Sequence, residues 1–198
     1  MFVLTMTLLD LMKQTSTKPG SDVRIVNVSS SAHDMHARGN PSVTFTDPAE
    51  FNAHFPPGDY DSWGSRLARY GRSKLGITLF TSELQERLDN QESSIIAVSL
   101  HPGNVATVSA LKIVAGMPFF GIIARAICQL VFMSEPEGAG NVVFAAASPN
   151  VRAEGIFKGR YLGPGGSIIV PSKYAQDTEL SKRLWETTER VVRSRNVI

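Results

Sequence analysis

Two residues with complementary chemistry, Tyr70 and Lys74, lie four positions apart in the segment RYGRSKLG at 69–76. On an α-helix this spacing places both side chains on one face. A phenol has a pKa of about 10, and a neighbouring ammonium group favours its ionised form. The pair could therefore exchange a proton with a carbonyl or an alcohol, although Tyr-x-x-x-Lys alone is a common chance motif.

The elements that must position this pair follow from the apolar pattern of the chain. Residues 2–16 and 67–88 have helical patterns, whereas 23–30, 94–100 and 159–163 have the character of short buried strands. Further helices are predicted after Ser134 and over 174–195. Alternation of helix and buried strand predicts an α/β fold in which helices flank a parallel sheet of few strands. The length of 198 residues suits one domain over 1–198.

Parallel strands bring their carboxyl ends to one edge of the sheet, which is where open α/β sheets bind ligands. Ser30 follows one predicted strand, Pro102 and Gly103 follow the next, and the helix between these strands begins near Tyr70 and Lys74. We expect these residues to converge, with the Ser30 hydroxyl holding a substrate oxygen within reach of Tyr70. Since none of them supplies a hydride, the chemistry requires a cofactor.

The helix at 67–88 carries apolar residues on two nearly opposite sides. One stripe consists of Ile77, Phe80, Leu84 and Leu88, and the other of Leu67, Gly71, Leu75 and Leu79. One stripe can pack on the sheet, whereas the other needs a neighbouring element of the same chain or a partner subunit. Both alternatives stay open, and the second would give a homodimer through helices 2–16 and 67–88.

Composition and charge exclude several classes of protein. A formal net charge of +2 without a basic run gives no indication of nucleic-acid binding. Cys128 is the single cysteine, so an intrachain disulfide is impossible and a reducing, cytoplasmic location is predicted. His33 and His101 suggest a serine hydrolase, but the chain lacks a G-x-S-x-G motif. No histidine and carboxylate spacing indicates a metal site.

Two apolar stretches could be mistaken for membrane signals. The first, at residues 1–13, lacks a basic start and contains Asp10, which argues against a signal peptide. The second, at 111–133, is interrupted by charges and by Pro118, which argues against a transmembrane helix. It is interpreted either as a pair of short buried helices or as an apolar lid over a substrate pocket, which could also make peripheral contact with a membrane surface.

Three segments together, RIVNVSSSAH, YGRSKLGITLFTSELQERL and VSLHPGNVAT, resemble the short-chain dehydrogenase/reductase family. Within it they are most similar to the retinol-dehydrogenase-like and WW-domain-oxidoreductase-like members. The resemblance is dense over 23–107 and looser towards the C-terminus. It implies a Rossmann-like fold and an NAD(P)-dependent oxidoreductase that interconverts a carbonyl and an alcohol of a lipophilic small molecule.

The resemblance also implies roles for individual residues. Ser30 would orient the substrate oxygen, Tyr70 would be the catalytic acid and base, and Lys74 would favour the phenolate. Tyr70 and Lys74 would also contact the nicotinamide ribose. The residues implied to line the nicotinamide end of the cofactor are Pro102, Gly103, Asn104, Val105 and Thr107.

One feature of that family, the Gly-rich TGxxxGxG turn that binds the cofactor pyrophosphate, is absent from the sequence. The GPGG segment at 163–166 follows the last predicted strand and is interpreted as a turn. Residues 2–16 resemble a helix from the middle of the family fold, so the chain is predicted to be the C-terminal portion of a reductase. The strand at 23–29 would then have an open edge.

Three interpretations follow. The chain is a reductase whose cofactor half is absent or supplied by another chain, an inactive family member that binds a partner, or an incomplete gene model. The residues that choose between NAD and NADP would lie in the absent half.

Overall fold

A computed structural model describes residues 1–38, 43–51, 61–103, 105 and 132–196. Its helices are α1 (Phe2–Ser16), α2 (Trp63–Asp89), α3 (Glu135–Ala147), α4 (Pro149–Ala153) and α5 (Thr178–Ser194). Its strands are β1 (Arg24–Val28), β2 (Ile96–Leu100) and β3 (Tyr161–Leu162), and its 3₁₀ turns are Ser31–Arg38, Pro48–Phe51, Pro164–Gly166 and Lys173–Gln176. No helix within these ranges is both long and apolar enough to span a bilayer. The predicted helix pair or lid at 111–133 lies outside the described residues.

The three strands form a parallel sheet in the order β1-β2-β3. Val26 lies beside Val98, and Ser99 lies beside Tyr161. Because all three strands run in the same direction, their carboxyl ends share one edge. The predicted α/β fold with a short parallel sheet is confirmed.

Helices cover both faces of this sheet. On one face, α1, α2 and α5 meet around Phe2, Phe80 and Trp185, whose rings pack over the sheet residue Ala97. The ring centroids of Phe2 and Trp185 lie 4.9 Å apart, and those of Phe80 and Trp185 lie 5.5 Å apart. On the other face, α3 and α4 bury a cluster that consists of Ile96, Val98, Leu100, Ala145, Val151, Phe157 and Leu162.

Capping residues determine where the helices begin. The Ser134 side chain accepts a hydrogen bond from Glu137 N, which confirms the predicted cap of α3. Helix α2 begins at Trp63, earlier than the predicted Leu67, because Ser62 caps it. The C-terminal helix begins at Thr178 rather than Tyr174, since Asp177 accepts a hydrogen bond from Leu180 N and ends the preceding 3₁₀ turn.

Buried hydrogen bonds join α2 to the sheet at successive levels. They run from Asn27 Nδ2 to Thr81 Oγ1 (2.9 Å), between the hydroxyls of Ser29 and Thr78 (3.0 Å), and from Ala97 N to Gln85 Oε1 (2.6 Å). A hydrogen bond of this kind contributes about 1 kcal/mol net to stability, but a broken one leaves a buried polar group unsatisfied. These contacts therefore determine where α2 lies along the sheet.

The second apolar stripe of α2 is covered within the chain. Leu75 and Leu79 are fully buried against Phe45 on one side and against Leu180 and Leu184 of α5 on the other. The sequence left open whether this stripe packs against another element of the same chain or against a partner subunit. Leu75 and Leu79 pack within the chain. The apolar residues that α1 exposes are Leu4, Leu8 and Leu11.

The segment that covers this stripe is held in place by Glu50. Its carboxylate accepts hydrogen bonds from the hydroxyl and N–H of Thr44 and from the N–H groups of Phe45, Thr46 and Asp47. Phe45 has a positive φ of 53°, a conformation that costs a non-glycine residue about 1 kcal/mol or more. The Glu50 carboxylate offsets this cost by satisfying the N–H groups of the turn.

Stability is expected to fall in acid as Glu50 becomes protonated. Burial alone would raise the pKa of Glu50, but the hydrogen bonds from Thr44, Phe45 and Asp47 outweigh burial and lower its pKa to about 2. The carboxylate therefore stabilises the fold fully above its ordinary pKa of 4.5, and this contribution is lost progressively as the pH falls from 4.5 to about 2. Urea unfolding from pH 6 to pH 2.5 should show this loss.

The matched variant is Glu50→Gln, which should be less stable than wild type at pH 6 and should show a shallower loss in acid. Glu154→Gln removes an exposed carboxylate and serves as the control. A wild-type pH profile in Glu50→Gln would contradict the role assigned to Glu50.

Candidate functional site

The carboxyl edge of the sheet brings together the loops that follow β1 and β2. Ser29 N donates a hydrogen bond to Leu100 O at 2.6 Å, so the sheet ladder continues to the last residue before Ser30. The Ser29 hydroxyl also donates to Lys74 O at 2.9 Å. The amino-terminal half of α2 is thereby held against the edge where Ser30 lies.

Lys74 and Tyr70 are neighbours on α2 at this edge. Lys74 Nζ donates a hydrogen bond to Val28 O, the last carbonyl of β1, at 3.0 Å. The same nitrogen lies 5.5 Å from the centroid of the Tyr70 ring. Tyr70 is 43% exposed, so its phenol is accessible from solvent. An ammonium group has three donors, and one of those of Lys74 is used to anchor it to the strand end.

Ser30 begins the turn that follows β1. Its Oγ accepts a hydrogen bond from Ala32 N at 3.2 Å, which leaves the hydroxyl proton available to donate. Its carbonyl accepts hydrogen bonds from His33 N at 3.1 Å and from the ring nitrogen Nδ1 of His33 at 2.7 Å. Because both ring nitrogens of His33 contact backbone groups, this histidine is not arranged as the base of a serine hydrolase.

The loop after β2 contains a glycine with little room around it. Gly103 has a positive φ of 99°, and a Cβ added there would lie 2.4 Å from Met133 Sδ. Its N–H donates to His101 Nδ1 at 3.2 Å. The positive φ and the packing against Met133 therefore both require glycine at this position.

Val105 continues this loop and forms a β-bridge with Met133. Helix α3 makes room for it at Gly138, where an added Cβ would lie 2.4 Å from a methyl carbon of Val105. Of the five residues implied to line the nicotinamide end, Pro102, Gly103 and Val105 are described and follow β2. The other two, Asn104 and Thr107, lie outside the described residues.

A buried tyrosine on β3, which the sequence did not single out, lies beneath both loops. Tyr161 is 4% exposed, and its ring centroid lies 4.9 Å from that of His33 and 5.9 Å from that of His101. Burial raises the pKa of Tyr161, and the charge of an ionised Tyr70 raises it further, which reflects the proximity of the two phenols. Burial lowers the pKa of His101, and a positive charge on His33 would lower it further, so His101 is neutral at pH 7.

Asn141 of α3 is a further positioning residue that the sequence did not single out. Its Nδ2 donates to His101 O at 2.8 Å, and its Oδ1 accepts from Gly166 N at 2.9 Å. This buried side chain joins the loop after β2 to the 3₁₀ turn Pro164–Gly166, which confirms that the GPGG segment is a turn. The signal in the sequence was one amide side chain in the otherwise small and apolar run GAGNVVFAAA.

Within the ranges that the structure covers, no group of three or more His, Cys, Asp and Glu side chains could bind a metal ion. The described residues place a phenol, an ammonium group and a hydroxyl at this edge.

Comparison with known proteins identifies similar sequences in fungi. Over 193 residues the chain is 36% identical to a short chain dehydrogenase/reductase of Colletotrichum higginsianum, covering 97% of this chain and 46% of that protein. Over 194 residues it is 38% identical to a short-chain dehydrogenase/reductase of Armillaria gallica, covering 97% and 58%. Over 143 residues it is 38% identical to a short chain dehydrogenase/reductase of Macrophomina phaseolina, covering 72% and 68%.

The chain spans about half the length of the first two of these relatives. No family model matches it. A crystal structure of an uncharacterised protein from Mycobacterium paratuberculosis is 24% identical, with a TM-score of 0.48 over 87% of this chain and 51% of that one.

Proposed function

Since this chain belongs to the short-chain dehydrogenase/reductase family, we propose that it is an NAD(P)-dependent oxidoreductase that interconverts a carbonyl and an alcohol. The observation that carries the proposal is the position of Lys74, whose Nζ lies 3.0 Å from Val28 O and 5.5 Å from the Tyr70 ring at the edge of the sheet. A lipophilic small molecule is the proposed substrate class, on the resemblance to retinol-dehydrogenase-like members.

Three side chains have separate roles in the proposed reaction. The Ser30 hydroxyl donates a hydrogen bond to the substrate oxygen and orients it. Tyr70 gives its proton to that oxygen during reduction and removes it during oxidation. Lys74 stabilises the phenolate that forms, because its ammonium group lies beside the ring. The cofactor supplies or accepts the hydride.

The described residues suit the nicotinamide end of such a cofactor. Lys74 has further N–H donors for ribose hydroxyls besides the one that contacts Val28 O. Pro102 and Gly103 follow β2 at the same edge of the sheet. A Gly-rich turn for the pyrophosphate is not found among the described residues, and we propose no residue for that role. The choice between NAD and NADP stays open for the same reason.

Fluorescence titration of the purified chain with NADPH and with NADH tests the proposal. We expect saturable binding in the micromolar range to at least one nucleotide. Lys74→Ala should weaken this binding by about tenfold or more, since it removes a charged donor. Lys18→Ala, which removes an exposed lysine after α1, is the matched control. Absence of binding at millimolar nucleotide would overturn autonomous catalysis.

A second candidate function is that of a partner-binding family member without activity. The observation that favours it is the outer edge of β1, which pairs with no strand in the described part of the chain. Val28 at the end of this strand is 41% exposed. An unpaired edge can accept a strand from another chain. Failure of both nucleotides to bind would favour this function. A homodimer through helices 2–16 and 67–88 and a cytoplasmic location stay predictions.

A further inference from the structure

His33 is buried within the loop that carries Ser30, and both of its ring nitrogens have backbone partners. Nδ1 lies 2.7 Å from Ser30 O, and Nε2 lies 3.0 Å from Ser172 N. The side chain is 4% exposed. Ser172 belongs to the segment after β3 and is 139 positions away in the sequence. One imidazole therefore joins two loops that are distant along the chain.

These partners determine the protonation state of the ring. The N–H of Ser172 can only donate, so Nε2 must accept through its lone pair. Nδ1 then carries the single proton and donates it to Ser30 O. Tyr161 packs edge-on against the ring, with an interplanar angle of 75°, and thereby restricts its rotation. Tautomer and orientation are both fixed by neighbouring groups.

The hydrogen bonds from His33 fix the orientation of the peptide group that contains the Ser30 carbonyl. Its carbonyl accepts from His33 N as well as from Nδ1, and its Oγ accepts from Ala32 N. These three contacts fix the backbone of Ser30 and place its Oγ beside Ala32 N before any substrate arrives. A displacement of about 1 Å at such a group can cost about a hundredfold in rate.

Resting on the proposed function, we propose that His33 is a positioning residue. It holds Ser30 in the geometry that orients the substrate oxygen, and it is itself held in the Nδ1-protonated tautomer by the N–H of Ser172. His33 does not touch the reacting atoms. Its effect should therefore fall on kcat for the carbonyl substrate and leave the dissociation constant of the nucleotide unchanged.

The first test replaces the ring. His33→Phe keeps an aromatic side chain but removes both hydrogen bonds, and we expect kcat with an aldehyde substrate to fall by about ten- to a hundredfold. His33→Asn carries an amide N–H at a place similar to that of Nδ1 and should recover part of this loss. Nucleotide titration and thermal unfolding are measured on each variant. Wild-type kcat in His33→Phe would overturn the inference.

The second test removes a single donor and leaves His33 in place. Ser172 has a φ of −57°, which proline can adopt, so Ser172→Pro deletes the N–H without requiring a new φ at this position. It is compared with Ser172→Ala, which keeps the N–H. Both variants lack the hydroxyl, so a difference between their kcat values reports the loss of the N–H alone. We expect a lower kcat in the proline variant, by about tenfold. Equal kcat values in the two variants would overturn the inference.

A third measurement does not depend on activity. Nitrogen-15 NMR of the imidazole should show His33 protonated at Nδ1 and unprotonated at Nε2, and the reverse tautomer would overturn the inference. If the wild-type chain binds nucleotide and reduces carbonyls, and His33→Phe is equally active, this inference is refuted and the proposed function stands. A wild-type chain without turnover would refute the proposed function, and the inference with it.

Discussion

Replacement of Tyr70 by phenylalanine is expected to lower kcat by about a hundred- to ten-thousand-fold, the usual contribution of a general acid or base. The variant keeps the ring that lies 5.5 Å from Lys74 Nζ and loses only the hydroxyl that would exchange a proton with the substrate. Since Tyr70 is 43% exposed, its hydroxyl contributes little to the folded core. Carbonyl reduction is followed by the loss of NADPH or NADH absorbance at saturating nucleotide.

The control for this substitution is Ser194→Ala, which removes an exposed hydroxyl at the C-terminal end of α5. We expect wild-type kcat in Ser194→Ala and wild-type thermal stability in Tyr70→Phe. A Tyr70→Phe protein that reduces carbonyls at the wild-type rate would refute the assignment of Tyr70 as the acid and base.

Replacement of Trp185 by alanine should lower the free energy of unfolding by about 3–5 kcal/mol, as loss of a large buried aromatic side chain does. Trp185 is 4% exposed and packs against Phe2 of α1 and Phe80 of α2. The guanidinium carbon of Arg87 lies 4.5 Å from the centroid of its ring. The cavity left by alanine would remove contacts from three helices at once. Urea unfolding followed by circular dichroism measures the loss.

Two further variants sharpen this measurement. Trp185→Phe should recover a large part of the stability because a phenyl ring still stacks on Phe80. Val170→Ala changes a residue that is 82% exposed and should stay within about 0.5 kcal/mol of wild type. If Trp185→Ala cost less than Trp185→Phe, or no more than Val170→Ala, the proposed role of the aromatic cluster would be wrong.

The local elements of this fold could be predicted from the sequence because local chemistry determines them. The helical pattern of residues 2–16 ends before Pro19 and Gly20, and α1 has the predicted bounds. Ser134 precedes an acidic first turn, and it caps α3. The error at the C-terminal helix was also local, since Asp177 followed by Thr and Glu is itself a capping sequence.

Contacts between distant segments could not be predicted in this way. Nothing in the pattern of residues 43–51 indicates that Phe45 adopts a positive φ and covers Leu75. The hydrogen bond between Ser172 and His33 depends on how two irregular loops lie against each other. For the site, strand ends predicted where Ser30, Tyr70 and Lys74 would lie. The strand at 159–163 was predicted too, but the packing of Tyr161 against His33 and His101 was missed because it joins segments that are distant along the chain.

The buried hydrogen bonds between α2 and the sheet have a consequence for Lys74, which lies about one to three helical turns away from them. Apolar surfaces tolerate sliding, because a helix displaced by one turn can still bury leucines. Thr78, Thr81 and Gln85 do not tolerate it, since a shift of about 5.4 Å would separate each of them from its partner. These three side chains therefore fix the position of α2 along the sheet. The distance from Lys74 to the end of β1 thus depends on residues that lie outside the proposed catalytic group.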